Sequence, residues 1–363
     1  MTKKILFLTD HYFPYVGGAE LLHQKIAEFL VEQGWTVDVV TTSDPGRRKK
    51  EVIKGVTIHG VAKNRYLLML SGLTKAWSLS RDCDVIQTTT YNAGLIGWII
   101  GRLRKKPTFL IVHELLSTLW FKQMNPLLAG LYWCFERLLI ALPFTHYIAV
   151  SKFTESQLLQ RNIQSQKITV IPHGIDQTLF RPENRDPDLR SRLGYADEDF
   201  ILLFFGRPGI LKGAEFLVKA MKLGVSKNVK LLMLLSAMPA SGYHHIKKLA
   251  SGNPRIQILD SVPREKLPHY LNMANAVVVP SLQEGFGFSA VEACVCNRPV
   301  IVSHAGALPE VVFGKVIFTK PGDVTSLSGG IEKAMRGEWE QFPKKEFLWK
   351  NTLEAYLKLY NSI

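Results

Sequence analysis

The chain has 363 residues, 47% of them hydrophobic, which is too long for one ordinary domain and gives each of two domains enough apolar side chains for a core. Charged residues and turn formers are spread throughout and no repeat of solenoid length occurs, so a disordered, low-complexity or solenoid chain is excluded. The net charge is +14: residues 1–180 carry 21 Lys and Arg against 13 Asp and Glu, and the remainder 24 against 18, so both halves suit anionic partners such as phosphates or a membrane surface.

From the N-terminus, Met1–Thr9 holds two lysines and the short apolar run Ile5–Thr9, which ends at Asp10. That run is too short for a signal-peptide core and reads as a first strand. Similar runs follow at Thr36–Thr41, Val85–Thr88, Phe109–Val112, His146–Val150 and Thr169–Ile171, with longer amphipathic stretches between them. After a polar break at 180–199, rich in Pro, Asp and Arg, the series resumes at Ile201–Phe205, Lys230–Leu235, Ile256–Leu259, Ala276–Val279 and Val300–Val302. Short buried strands alternating with helices predict an α/β chain with two parallel, doubly wound sheets, divided inside that break. Cys83, Cys134, Cys294 and Cys296 form no disulfide framework and no zinc spacing, so reduced, buried cysteines of a cytosolic protein are expected.

Ligands of open α/β sheets sit at the carboxyl ends of strands, so the loops after each run are where chemistry is sought. The first such loop carries Gly17-Gly18-Ala19-Glu20 before a helix, either a phosphate cradle or a plain strand-to-helix turn. The second presents His113-Glu114 after Phe109–Val112; His113 is a candidate hydrogen-bond donor, or a structural histidine. The third is Gly206-Arg207, with Lys212-Gly213 opening the next helix, where two cations beside a helix start would hold a diphosphate without a metal. The fourth follows Ala276–Val279 and runs from Glu284 through Gly285, Phe286, Gly287 and Phe288 to Glu292: two carboxylates able to accept sugar hydroxyls, or two solvated glutamates on a helix face. Glu310, in Gly306-Ala-Leu-Pro-Glu310, offers a further carboxylate. Asp82 and Asp84 stand at the wrong end of a strand for a metal site, Asp186 and Asp188 lie in the linker, and no metal is expected.

Leu95–Gly101 runs into Arg102, Arg104, Lys105 and Lys106, and Trp120–Phe144 is rich in Leu, Trp and Tyr but interrupted by Glu136 and Arg137. With the basic cluster Arg47–Lys50, these stretches suit peripheral contact with an anionic membrane surface more than a bilayer span or a core helix alone. No nucleic-acid module is recognisable, so no nucleic-acid partner is expected.

The ordered set Gly206-Arg207, Lys212-Gly213, Glu284-x7-Glu292, Arg298-Pro299-Val300 and Gly306–Glu310, with Gly17–Glu20, His113, Val150-Ser151 and Ile171-Pro172-His173-Gly174-Ile175-Asp176 before it, resembles the retaining glycosyltransferases of family 4 (glycosyl transferases group 1) along nearly the whole chain. The resemblance implies a GT-B fold: two Rossmann-like domains facing a central cleft, with an acceptor-binding domain at 1–178, a nucleotide-sugar-binding domain at 179–342, and a final helix within 343–363 that crosses back onto the first. It further implies a metal-independent, cofactor-free enzyme. Arg207 and Lys212 would hold the diphosphate of a donor such as a UDP- or GDP-sugar, helped by the backbone near Gly17, Gly18 and Gly206. Glu284 and the N–H groups of Phe286, Gly287 and Phe288 would bind the sugar, Glu292 the ribose, and His113 would face the transferring sugar, with Glu310 beside the donor. The expected acceptor is a saccharide or a lipid-linked glycan precursor, as in polysaccharide biosynthesis, with the enzyme cytoplasmic or peripheral on the cytoplasmic membrane face. Glu114, Asn297, Ser303-His304 and the short segment Phe313–Val316 depart from the family pattern and bear on donor choice. A sugar-nucleotide epimerase or hydrolase, or a non-catalytic nucleotide-sugar-binding protein, is the alternative.

Overall fold

The computed structural model describes residues 2–13, 17–43, 49–183 and 186–362, and the chain divides into two compact units, 1–174 with 349–363, and 175–348. The unit breaks fall after Gly174 and Leu348, where the sequence reading placed them after 178 and 342.

In the first unit the strands are β1 (Lys4–Leu8), β2 (Thr36–Thr42), β3 (Lys50–Ile53), β4 (Val56–Ala62), β5 (Val85–Thr89), β6 (Thr108–Val112), β7 (His146–Ala149) and β8 (Ile168–Val170), in the order β3-β4-β2-β1-β5-β6-β7-β8. Every neighbouring pair is parallel except the β3–β4 hairpin. Runs such as Thr-Phe-Leu-Ile-Val in β6 are buried along their whole length, as a sheet covered on both faces requires. Helix starts are written in the sequence: Asn64 accepts from the N–H groups of Tyr66 and Leu67, Asn125 from Leu128 ahead of Pro126, and Ser151 from Thr154. Leu95–Gly101 lies within helix Asn92–Arg104, where Ile96, Gly97, Ile100 and Gly101 are buried and Leu95, Trp98 and Ile99 are half-buried, so this segment packs into the core. The terminal helix Trp349–Asn361 packs on helix Gly18–Glu32 of this same unit. Its Tyr356 and Tyr360 are fully buried, and the Tyr360 hydroxyl donates to Gln87 Oε1 on β5 at 2.6 Å.

The second unit holds β9 (Phe200–Gly206), β10 (Val229–Leu235), β11 (Ile256–Asp260), β12 (Ala276–Val279), β13 (Val300–Ser303), β14 (Gly314–Thr319) and β15 (Glu340–Phe342), in the order β11-β10-β9-β12-β13-β14-β15. All pairs are parallel except β14–β15. Each sheet is therefore mixed, with one antiparallel edge strand that the apolar-run reading did not anticipate. Edge strands such as Glu340–Phe342 are largely exposed and carry no apolar run. Of the aspartates weighed as metal ligands, Asp84 accepts from the backbone N–H of Lys4 at 2.7 Å and Asp186 pairs with Arg192. Cys83, Cys294 and Cys296 are buried free thiols; Cys134 is exposed on the outer face of its helix, which corrects the expectation that all four are buried.

Both sheets reverse their winding at an inner strand pair, β1/β5 in the first unit and β9/β12 in the second. At such a switch point the loops leaving the two strands diverge and open a crevice at their carboxyl ends. The unusual loops of the second unit, 206–213 after β9 and 280–287 after β12, stand at that point.

Candidate active site

The two switch-point loops of the second unit are stitched together. Leu282 N–H donates to Leu211 C=O at 2.8 Å. Gly213 has φ +74°, and a Cβ there would lie 2.0 Å from the Pro280 carbonyl oxygen, so only glycine fits where the loops touch. This contact brings Lys212 over Glu284: its ammonium donates to both carboxylate oxygens, at 2.8 and 2.9 Å, and Ser281 Oγ donates to Oε1 at 2.7 Å. The backbone of Glu284 is gripped from the far side, where Ala307 N–H donates to its C=O at 2.9 Å and a Cβ on Gly306 (φ +58°) would come within 2.2 Å of that same oxygen. An ammonium has three N–H donors; two are spent on Glu284, and one remains with the charge. Arg207, on the same loop, is exposed and among the described residues has no ion-pair partner.

Glu284 and Glu292 are 7% and 2% exposed, so neither is a solvated glutamate of a helix face. Helix Phe288–Val295 starts at Gly287 and carries Glu292 inward. There Glu292 meets Arg264 at 2.6 Å; burial pushes its carboxyl up and the Arg264 charge opposes that shift. Arg264 stands in the turn after β11, again at a strand's carboxyl end, with its guanidinium 4.8 Å from the Phe180 ring centroid. Sequence reasoning passed over it, because the segment has no motif; its one signal is its place after a buried strand. The Phe286 ring packs edge-on against Phe288 and Phe347, with centroids 5.3 and 5.4 Å away. Glu310 lies on the short helix Leu308–Val311, and its backbone carbonyl accepts from Lys345 Nζ at 2.6 Å.

His113, Gly17 and Gly18 belong to the first unit. Gly17 precedes helix Gly18–Glu32 in an extended conformation open to any residue. His113 follows β6 and is the middle of three histidines that the sequence reading did not group: His23 meets it edge-on, centroids 5.4 Å apart, and His173 stacks on it at 5.7 Å. Thr9 Oγ1 lies 3.1 Å from His23 Nδ1, while His113 Nε2 has no hydrogen-bond partner among the described residues. Burial pushes His113 down to about 4 and holds the other two well below the ordinary histidine range. Asp10, at the end of β1, accepts from Ala93 N–H at 3.1 Å, and burial pushes its carboxyl up to about 6. It is a second residue the sequence reading missed, at the switch point of the first unit.

The loop after His113 is anchored by Glu136, which had read as an interruption of an apolar stretch. Its buried carboxylate accepts from the N–H groups of Leu116 (2.8 Å) and Ser117 (3.0 Å), from Trp120 Nε1 (3.2 Å) and from the Tyr91 hydroxyl (3.3 Å). The Arg161 guanidinium completes the set at 3.3 Å.

Neutral buried histidines make the fold acid-sensitive with a definite sign. Between pH 6.5 and about 4 the unfolded chain binds a proton at position 113 that the folded chain refuses, so stability falls as pH falls through this window. Asp10 acts in the opposite sense, since its raised value makes the folded chain the better proton binder. Comparing the protein with His113→Gln isolates the histidine. Urea unfolding is expected to show about 2 kcal/mol less loss between pH 7 and pH 5 in the variant; equal losses would overturn the assignment.

Comparison with known proteins decides the family. The model of Glycosyltransferase Family 4 matches residues 16–179 and that of Glycosyl transferases group 1 matches 186–350. The chain belongs to glycosyltransferase family 4. Among its curated relatives, the D-inositol 3-phosphate glycosyltransferase of Xylanimonas cellulosilytica is 32% identical over 83% of this chain and 78% of its own. That of Thermobifida fusca is 28% identical over 82% and 75%. The sucrose-phosphate synthase of Thermosynechococcus elongatus shares the fold with a TM-score of 0.81, at 22% identity over 99% of this chain and 98% of its own. The Anabaena protein Alr3699/HepE, solved in complex with UDP and glucose, does so at 0.77, with 21% identity over 99% and 100%. This family 4 enzyme is thus a glycosyltransferase built from two Rossmann-like units of GT-B type.

Proposed function

We propose that the enzyme moves a sugar from a nucleoside-diphosphate donor to an acceptor hydroxyl with retention of anomeric configuration and without a metal. The observation that carries this is the Lys212–Glu284 pair, held across the two switch-point loops of the second unit. A diphosphate leaving group needs positive charge beneath it, and Lys212, held by Glu284, with exposed Arg207 supplies two cations on the loop that leads into helix Ala214–Ala220. Glu284, nearly buried and gripped through its backbone, accepts sugar hydroxyls, and Glu292 accepts those of the ribose. His113, neutral at physiological pH, is assigned to the transferring sugar. As the anomeric carbon–oxygen bond to the diphosphate breaks, the acceptor oxygen forms the new bond on the same face, and its proton passes to the departing phosphate oxygen. Complexes of HepE with UDP and with UDP-glucose favour a UDP-sugar donor here.

The acceptor we propose is a lipid-linked saccharide at an anionic membrane surface. The outer face of helix Pro126–Ala141 is apolar: Leu127, Leu131 and Leu138 are 77%, 60% and 69% exposed, far beyond ordinary leucines. Among the described residues no helix is long and apolar enough to cross a membrane, so this face would lie on the surface. Arg47 and Arg48 of the basic cluster lie outside the described residues; Lys49 and Lys50 are exposed. One assay tests both parts: UDP release from UDP-glucose and other nucleotide sugars, with a lipid-linked saccharide in phosphatidylglycerol vesicles or a water-soluble saccharide as acceptor. Release that depends on acceptor and survives chelator is expected, with Leu127→Gln/Leu131→Gln/Leu138→Gln slowed about tenfold on vesicles only. Release independent of acceptor would favour an epimerase or hydrolase, and equal rates on vesicles would remove the membrane.

A further inference from the structure

At the opposite end of the second sheet from the switch-point loops lies a pocket of about 840 Å³, lined in part by Arg298 and Pro299 of the Arg298-Pro299-Val300 segment, to which the sequence assigned no role. Its walls come from the segments that enter strands: Met273–Asn275 before β12, Asn297–Pro299 before β13, and Phe313 before β14. Because those strands are parallel, this is the amino end of the sheet, separated from the Lys212–Glu284 end by the length of a strand, roughly 13 Å.

Five cations line it: Arg181, Arg298, Lys315, Lys344 and Lys345. Among the described residues no Asp or Glu does. Arg298 and Lys345 are half-buried at its base, and the other three stand exposed at its rim. Lys345 gives one N–H to the Glu310 carbonyl; burial pushes its ammonium down, the Glu310 charge opposes that shift in part, and an incoming anion would oppose it further. Cys294 adds no negative charge, since burial pushes its thiol up to about 12. Met273, Phe313 and Phe342 supply an apolar wall between the cations. The volume matches small-molecule sites, on the order of 300–1,000 Å³, and the concavity excludes a duplex or a flat protein surface. Arg298 Nε donates to the Cys296 carbonyl at 3.2 Å, and the cations, drawn from four stretches of the sequence, together raise a local positive potential that suits an anionic ligand.

We propose that this pocket binds a phosphate ester: a small molecule whose phosphate or diphosphate sits between Arg298 and Lys345, with its carbon body against Phe313 and Phe342. It is a second anion site, independent of the donor reading. The test uses the full chain carrying Arg207→Gln/Lys212→Gln, so that the switch-point cations cannot answer for it, titrated calorimetrically with inorganic pyrophosphate. One pyrophosphate is expected to bind, weakening as salt is raised. Adding Arg298→Gln/Lys345→Gln is expected to weaken it about tenfold or more. Lys315→Gln/Lys344→Gln, which touches only exposed side chains and leaves the core alone, is expected to weaken it several-fold. No binding to the first variant, or binding unmoved by both pocket pairs, overturns the proposal. Glycerol 3-phosphate and phosphatidylglycerol vesicles then separate the sources. Displacement of pyrophosphate by the first marks a soluble ester; displacement by vesicles alone marks a lipid headgroup.

Discussion

Replacing Glu136 by leucine is expected to cost about 3–5 kcal/mol of folding stability, the range for breaking a buried charge cluster from one side. The reason is the number of donors left behind. Leu116 and Ser117 N–H, the Trp120 indole, the Tyr91 hydroxyl and the Arg161 guanidinium all lose their acceptor, and the Glu136 side chain is only 1% exposed, so little water reaches the site. Arg161, itself 14% exposed, is the costliest orphan. Glu136→Leu combined with Arg161→Leu is therefore expected to recover part of the loss, which an independent pair of sites would not allow. Glu136→Gln, which keeps an acceptor oxygen but sets an amide N–H₂ against the donors, is expected to fall between. Urea unfolding with a constant slope measures all three. Since Leu116 and Ser117 follow the loop of His113, hydrogen exchange there is expected to quicken in the glutamine variant before global unfolding does. A loss under about 1 kcal/mol for Glu136→Leu would mean that the carboxylate is solvated and not the anchor described.

What the sequence made legible follows from which forces are local. Strands β1, β5, β6, β9, β10, β12 and β13 are short, buried on both faces and bounded by polar loops, so composition alone marks them. β3 and β15 are exposed edges whose pairing depends on a neighbour, and β14 opens on the turn formers Gly314-Lys315, which leave only the brief apolar run Val316–Phe318 to mark it. The Glu284 loop was findable because glycines, a carboxylate and a helix start fall together after a strand. Its partner relations were not: Arg264 reaches Glu292 from a different strand's loop, and His23 on helix Gly18–Glu32 meets His113 and His173 from the loops after β6 and β8 only once the sheet is assembled. Glu136 looked like a break in an apolar stretch because a sequence gives a residue's identity and not the direction it faces. Leu95–Gly101 and Trp120–Phe144 had the same composition but different fates, the first buried against β5, the second presenting leucines outward.

Lys212→Met is expected to lower kcat/KM for the nucleotide-sugar donor by about 10²–10³-fold, the size seen when one preorganised charge at a developing anion is removed. The loss has two parts. One is the missing cation under the diphosphate. The other is the bare Glu284 carboxylate, nearly buried, left with Ser281 Oγ as its hydroxyl donor and turned from a paired group into a negative charge beside a polyanion. The second part makes a distinct prediction. In Lys212→Met/Glu284→Gln the repulsion is gone, so donor affinity is expected to recover relative to Lys212→Met even though sugar contacts are worse, and the two changes are strongly non-additive. The Lys212 side chain is 41% exposed but that of Glu284 only 9%, so Lys212→Met is also expected to lower Tm by several degrees, and Lys212→Met/Glu284→Gln to recover part of that loss. Steady-state kinetics beside thermal melts separate the two effects. Additivity within about 0.5 kcal/mol across the cycle would mean that the lysine and the glutamate do not meet on one ligand, and the donor site would have to be sought at other loops of the sheet.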